Sequence, residues 1–166
     1  MSRARDKKEL ADTVGDIRLA SRTLVRELGF LNRHLAGTEL NPSQVHALLE
    51  LERVPQTQAA DLGNLFRLDK SAVSRLLADL KQRGFIATSA SASDGRGRAL
   101  QLTTKGRRQL KIIHDKANVQ FTTALKAIDK HEWPHIVKSL ELFARTLATT
   151  RKRPGERPAR RRPRMA

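Results

Sequence analysis

The chain has 166 residues, 39% of them apolar, which is room for one core or for one core and a tail. It contains no cysteine, so disulfides, thiolate metal sites and thiol-based redox sensing are excluded. Its apolar runs fall far short of a membrane span, and the basic start MSRARDKKELADT lacks the apolar stretch of a secretory signal. The net charge of +16 is unevenly placed: residues 151–166 hold eight Arg or Lys and one Glu, a net +7, which leaves +9 to residues 1–150.

The first predicted element is helical. Leu10, Val14, Ile17, Ser21, Leu24, Leu28, Leu31 and Leu35 alternate steps of four and three, an a/d seam of about four heptads. Gly15 and Gly29 weaken this helix by about 1 kcal/mol each relative to Ala, and Gly37 suits its end. The seam fits either an amphipathic helix on its own core or a helix-to-helix dimer contact.

A second, short helix follows in LNPSQVHALLELERV. Asn41 is its N-cap, Pro42 its first residue, and Val45, Leu48, Leu49 and Leu51 its buried face. Pro55 marks its end. A third helix is predicted from Thr57 or Gln58, with Ala59, Ala60, Leu62, Leu65 and Phe66 as its apolar face. Leu68 lies in a tight connection, Asp69 caps a fourth helix, and Gly84 ends it.

After Gly84 the hydrophobic period changes from 3.6 to 2. Residues 85–90 (FIATSA) and 98–103 (RALQLT) read as two strands joined by the turn-forming SASDGRG. Helix resumes near Thr103 or Thr104, with Leu110, Ile113, Ala117, Phe121, Ala124 and Ile128 on one face. A final helix is predicted to turn Ile136, Val137, Leu140, Phe143 and Leu147 inward. Residues 151–166, RKRPGERPARRRPRMA, hold three of the six prolines and are expected to be a disordered basic tail. Such a tail tracks phosphates, solubilises the chain, or serves as a nuclear address or an anionic-membrane contact.

The most informative stretch is TQAADLGNLFRLDKSAVSRLLADLKQRGF. Val73, Leu76, Leu77 and Leu80 stand at i, i+3, i+4 and i+7, a core stripe. The opposite stripe is Ser71, Ser74, Arg75, Ala78 and Gln82, flanked by Lys70 and free of acidic residues. A major groove about 12 Å wide admits a helix with such short, polar and basic side chains. Arg75 can bond bidentately to guanine, and Ser71 and Ser74 reach phosphates or base edges. With the two strands behind it, this is a winged helix-turn-helix. In the loop, Gly95 and Gly97 allow a tight turn, Asp94 can fix an arginine, and Arg96 and Arg98 suit a narrow minor groove.

The stretch H-E-W-P-H, residues 131–135, fits the H-E-x-x-H pattern of zinc proteases. Pro134 argues against it. Inside a helix a proline removes a hydrogen bond and clashes, whereas in a first turn it is welcome. The stretch therefore reads as a helix start, with Asp129 or His131 as cap and Trp133 packing. No third ligand follows at the required spacing, and His34, His46 and His114 are scattered. We assign no catalytic residue, no metal and no cofactor.

Taken together, LNPSQVHALLEL, LDKSAVSRLLADLKQRGFI and D-G-R-G-R followed by LTTKGR resemble the MarR (multiple antibiotic resistance regulator) family of bacterial transcription factors. The resemblance covers residues 6–150. It implies a mainly α fold with a small β-hairpin wing: a winged helix-turn-helix over 41–103 and dimerisation helices over 6–36 and 104–150. It implies a cytoplasmic homodimer on double-stranded DNA, most often a repressor, released by a small-molecule effector. Lys70, Ser71, Ser74 and Arg75 match the recognition-helix positions, and Asp94, Arg96 and Arg98 match the wing. The segment from Val25 to Leu51 also resembles the front of proteins that fuse such a module to an acetyltransferase, for which 166 residues leave no room. The alternative to a sequence-specific regulator is a sequence-tolerant architectural protein that binds any duplex through its basic tail.

Overall fold

A computed structural model describes residues 2–89 and 99–150. The elements are α1 (Ser2–Glu27), α2 (Pro42–Arg53), α3 (Ala59–Phe66), α4 (Lys70–Gln82), β1 (Ile86–Ser89), β2 (Ala99–Leu102), α5 (Thr104–Lys126) and α6 (Trp133–Thr150), with a 3-10 turn at Lys130–Glu132 before α6. The chain divides into two compact units, one ending at Asn118 and the other starting at Val119. No described helix is long and apolar enough to cross a membrane.

Helix α1 ends at Glu27, well before Gly37, the stop its apolar spacing predicts. Gly29 takes φ +80°, Phe30 N–H donates to Val25 O at 3.1 Å, and Gly29 N–H to Arg26 O at 2.9 Å. That pair of bonds is a Schellman stop, in which glycine adopts the left-handed conformation that costs other residues most. Leucine spacing does not register the sign of φ, so the seam runs on through a turn. Beyond it Leu31 is exposed while Leu35 is buried. The Phe30 ring stacks on His46 of α2 at 5.4 Å, and burial holds His46 below the ordinary imidazole value.

Asn41 and Gln44 form a reciprocal capping box at α2: Gln44 N–H donates to Asn41 Oδ1 at 3.0 Å, and Asn41 N–H to Gln44 Oε1 at 2.9 Å. Val45, Ala47, Leu48 and Leu51 of α2 are buried. They meet Leu62 of α3, Val73, Leu76, Leu77 and Leu80 of α4, Ile86, Leu100, and Leu110 and Ile113 of α5 in one core. The Gln44 amide also bonds the Asp79 carboxylate, joining α2 to α4 through side chains.

Helix α3 buries less than its sequence suggests. Of Ala59, Ala60, Leu62, Leu65 and Phe66, only Leu62 is buried; Phe66 is half-buried and Leu65 exposed. Phe66, one turn after Leu62, packs against the same core from its edge.

The strands pair antiparallel, Ile86 with Leu102 and Ser89 with Ala99. Phe85 and Thr103, which the alternating pattern places in the strands, serve the helices beside them, and Ala90 and Arg98 lie outside the described residues. Phe85 N–H closes the Schellman stop of α4 on Leu80 O at 2.9 Å, next to Gly84 at φ +74°. Thr103 starts α5 instead: its carbonyl accepts from Arg107 N–H at 2.9 Å and its hydroxyl from Gly106 N–H at 3.0 Å. The same hydroxyl donates to Gly84 O at 2.6 Å.

In α5, Leu110 and Ile113 are buried and Ala117 is half-buried. In the second unit Phe121, Ala124 and Ile128 are exposed, as are Val137, Leu140, Phe143 and Leu147 of α6, with Ile136 half-buried. The inward face expected of α6 is therefore an apolar face that the described residues leave exposed. The 131–135 stretch is a helix start. Asp129 caps the 3-10 turn, α6 begins at Trp133, and Pro134 falls in its first turn. His131 stands outside α6, its ring 2.9 Å from Asp129 and 3.0 Å from Glu132. The two histidines thus do not share one α-helix, as the zinc-protease arrangement requires.

Candidate nucleic-acid interface

Helix α4 separates its two stripes cleanly. Val73, Leu76, Leu77 and Leu80 are all buried, and Ser71, Ser74, Arg75, Ala78 and Gln82 are all exposed. The separation follows from the 3.6-residue period once one stripe is anchored in the core. Lys70, Ser71, Ser74 and Arg75 therefore share one solvent-facing surface in the N-terminal half of the helix.

The helix entry is held by Asp69, whose Oδ1 accepts from Ala72 N–H at 2.8 Å and from the Ser71 hydroxyl at 2.7 Å. The Ala72 N–H, then the Ser71 hydroxyl, hold this carboxyl below the usual range, helped by the nearby Arg75 charge. Arg75 Nη1 donates to Ser71 Oγ at 3.3 Å, so the guanidinium lies back along the first turn. The sequence identifies Asp69 as a cap. Its link to Arg75 depends on rotamers that spacing alone does not specify.

Between α3 and α4 runs an open groove of about 600 Å³. Ala59, Gly63, Leu68, Val73 and Leu77 contribute its apolar lining, and Lys70 and Lys81 lie along it. Gly63 sets the approach of the two helices: a Cβ there would lie 3.3 Å from Val73 Cγ2 and 3.5 Å from Leu68 O. Arg67, at φ +56°, ends α3, and Leu68 N–H bonds back to Gly63 O at 3.0 Å. This turn presents α4 at a fixed angle to α3.

The wing is described only at its base. Asp94, Arg96 and Arg98 lie outside the described residues. Strand β2 is tied to the helical body where Leu100 N–H donates to Thr57 O at 2.9 Å. The T-T-K-G run after β2 is a structural joint. Lys105 Nζ donates to Arg83 O at 2.7 Å and stands 5.1 Å from the centre of the Phe85 ring. Arg83 in turn donates to Glu39 O at 3.0 Å. Sequence reading recognises the motif without its mechanical role, since its partners lie about twenty or more residues upstream.

Residues 38–97 match the model of the MarR family. No sequence among curated proteins matches the chain. A probable transcriptional regulator from Pseudomonas aeruginosa is similar in structure, with TM-score 0.62 and 25% identity over 81% of this chain and 98% of its own. FabT of Streptococcus pneumoniae, solved in complex with DNA, is similar with TM-score 0.62 and 16% identity, over 89% of this chain and 98% of its own. BpsR of Bordetella bronchiseptica, whose DNA binding is regulated by 6-hydroxynicotinic acid, is similar with TM-score 0.61 and 21% identity, over 80% and 98%.

Proposed function

We propose that this chain, whose residues 38–97 match the model of the MarR family, is a member of that family and a homodimeric, sequence-specific repressor of transcription. The observation that carries the reading is the exposed stripe of α4, with Lys70, Ser71, Ser74 and Arg75 on one face and the core on the other. That face enters the major groove of double-stranded DNA, where Arg75 pairs with guanine. Asp94, Arg96 and Arg98 reach the adjacent minor groove from the wing. The uncovered apolar faces of α1 and α6 meet a second copy, which sets two recognition helices on two half-sites.

A small molecule releases the DNA. Support for this comes from the similarity to BpsR, whose DNA binding 6-hydroxynicotinic acid regulates. PcaV of Streptomyces coelicolor, similar in fold, is solved with its natural ligand.

The net charge of +16 favours a second reading, an architectural protein that binds any duplex. Selection of bound sequences from random duplexes by the full chain separates the two. A palindrome with half-sites about one helical turn apart, bound about 10³-fold more tightly than other DNA, is the outcome expected of the regulator. Enrichment without a motif, together with a steep salt slope, overturns it in favour of the architectural reading.

A further inference from the structure

Ser71 sits between two charges. Its hydroxyl donates to Asp69 Oδ1 at 2.7 Å, and it accepts from Arg75 Nη1 at 3.3 Å. The Asp69 oxygen is fixed in turn by Ala72 N–H at 2.8 Å. A hydroxyl has one proton and two lone pairs. With its proton committed to Asp69, Ser71 shows DNA only lone pairs. Phosphate oxygens only accept, so this hydroxyl and a phosphate are mismatched unless the Asp69 bond breaks. Arg75 has five N–H donors, and one bond to Ser71 leaves enough for the bidentate pair on guanine O6 and N7.

We infer that Ser71 is a positioning residue: with Asp69 behind it, Ser71 holds the Arg75 guanidinium over the first turn of α4, where it reads guanine. The inference rests on α4 being the base-reading helix, and it gives Ser71 a role other than a direct DNA contact. An unrestrained arginine loses rotamer freedom when it docks, and the tether removes part of that loss before DNA arrives. The Asp69 charge also opposes phosphate close to this turn, which leaves the guanidinium directed at the base edges and not at the backbone. A single exposed hydrogen bond at 3.3 Å is weak, so the effect on discrimination is about three- to tenfold.

The test measures the affinity of the full chain for a duplex selected from a random pool, and for the same duplex with each G·C pair exchanged in turn for A·T. Arg75→Ala identifies the pair that Arg75 reads, because discrimination at that pair disappears. Ser71→Ala is expected to lower discrimination at the same pair about three- to tenfold and leave affinity for the exchanged duplex unchanged. Ser71→Thr, which keeps the hydroxyl, is expected to restore it. In an Arg75→Ala background Ser71→Ala should have no further effect. The inference is overturned if Ser71→Ala weakens all duplexes alike in both backgrounds, which would make Ser71 a DNA-binding group in its own right. It is also overturned if Ser71→Ala changes nothing while Arg75→Ala removes discrimination; the base-reading role of α4 then survives. If Arg75→Ala leaves discrimination intact at every pair, that role fails and the tether fails with it.

Discussion

Gly106 shows how one residue can decide between two opposed effects. It lies in the first turn of α5, where alanine is favoured over glycine by about 1 kcal/mol. A Cβ at this position, however, would stand 2.1 Å from Phe85 O. That carbonyl already accepts from Thr103 N–H at 3.0 Å, so it has little freedom to move. Overpacking costs of about 1–3 kcal/mol or more exceed the helix gain. Gly106→Ala should therefore lower the urea midpoint at unchanged slope; a midpoint that rises would mean α5 can swing away from Phe85 cheaply. Asp69 gives a prediction in pH. Its folded value is depressed by the Ala72 N–H and the Ser71 hydroxyl. Between that value and the ordinary carboxylate value of about 3.9, the unfolded chain binds more protons than the folded one. The contribution is thus fully present above about pH 4 and is lost as pH falls through the folded value. Asp69→Asn keeps an acceptor for the cap and removes the titration. Its acid unfolding limb should be shallower than that of the parent protein, and an identical limb would place the acid sensitivity elsewhere.

The helices divide into those whose apolar stripe is covered by other described residues and those whose stripe those residues leave exposed. Helix α4 belongs to the first group. Helices α1 and α6 belong to the second: Leu10 is 65% exposed, Leu24 43% and Leu140 52%. Most helical stability in water comes from packing an apolar face, so a 26-residue α1 with Gly15 in it gains from a partner. Replacing Leu24 and Leu28 together by Asp puts two charges on the seam. The expected result is a monomer by sedimentation, with the core of the first unit still protected in amide hydrogen exchange. A surviving dimer would move the interface off α1. These elements also mark what the sequence reveals. Asn41, Asp69 and Gly84 announce helix ends because capping is local chemistry, and the α4 stripes follow from spacing alone. The end of α1 at Gly29 is hidden because leucines continue in register past it. The exposure of Val137, Leu140, Phe143 and Leu147 is hidden because a stripe records that a face is apolar and not which molecule covers it. The tether from Asp69 through Ser71 to Arg75 is hidden because it depends on rotamers.

For the molecule as a whole, charge and specificity are expected to be separable. Residues 151–166 carry +7 of the +16, and the proposed base readers lie far away in sequence, on α4. Each phosphate neutralised by Lys or Arg contributes about −0.9 to the slope of log affinity against log salt, whatever the base sequence. Deleting residues 151–166 should therefore make that slope shallower by about 0.9 for each phosphate that this segment neutralises, and weaken all duplexes by a common factor at low salt. The association rate should fall with it, because long-range attraction to a polyanion scales with the charge presented. The selected sequence should stay the same, since the proposed base readers, on α4 and among residues 94–98, are kept. Binding isotherms at several salt concentrations, paired with a repeat of the selection, measure both quantities on one deletion. A shifted sequence preference would mean that the arginines of this segment enter a groove and read it. An unchanged slope would mean that they neutralise no phosphate, and the positive charge of residues 1–150 would then account for the whole electrostatic attraction to DNA.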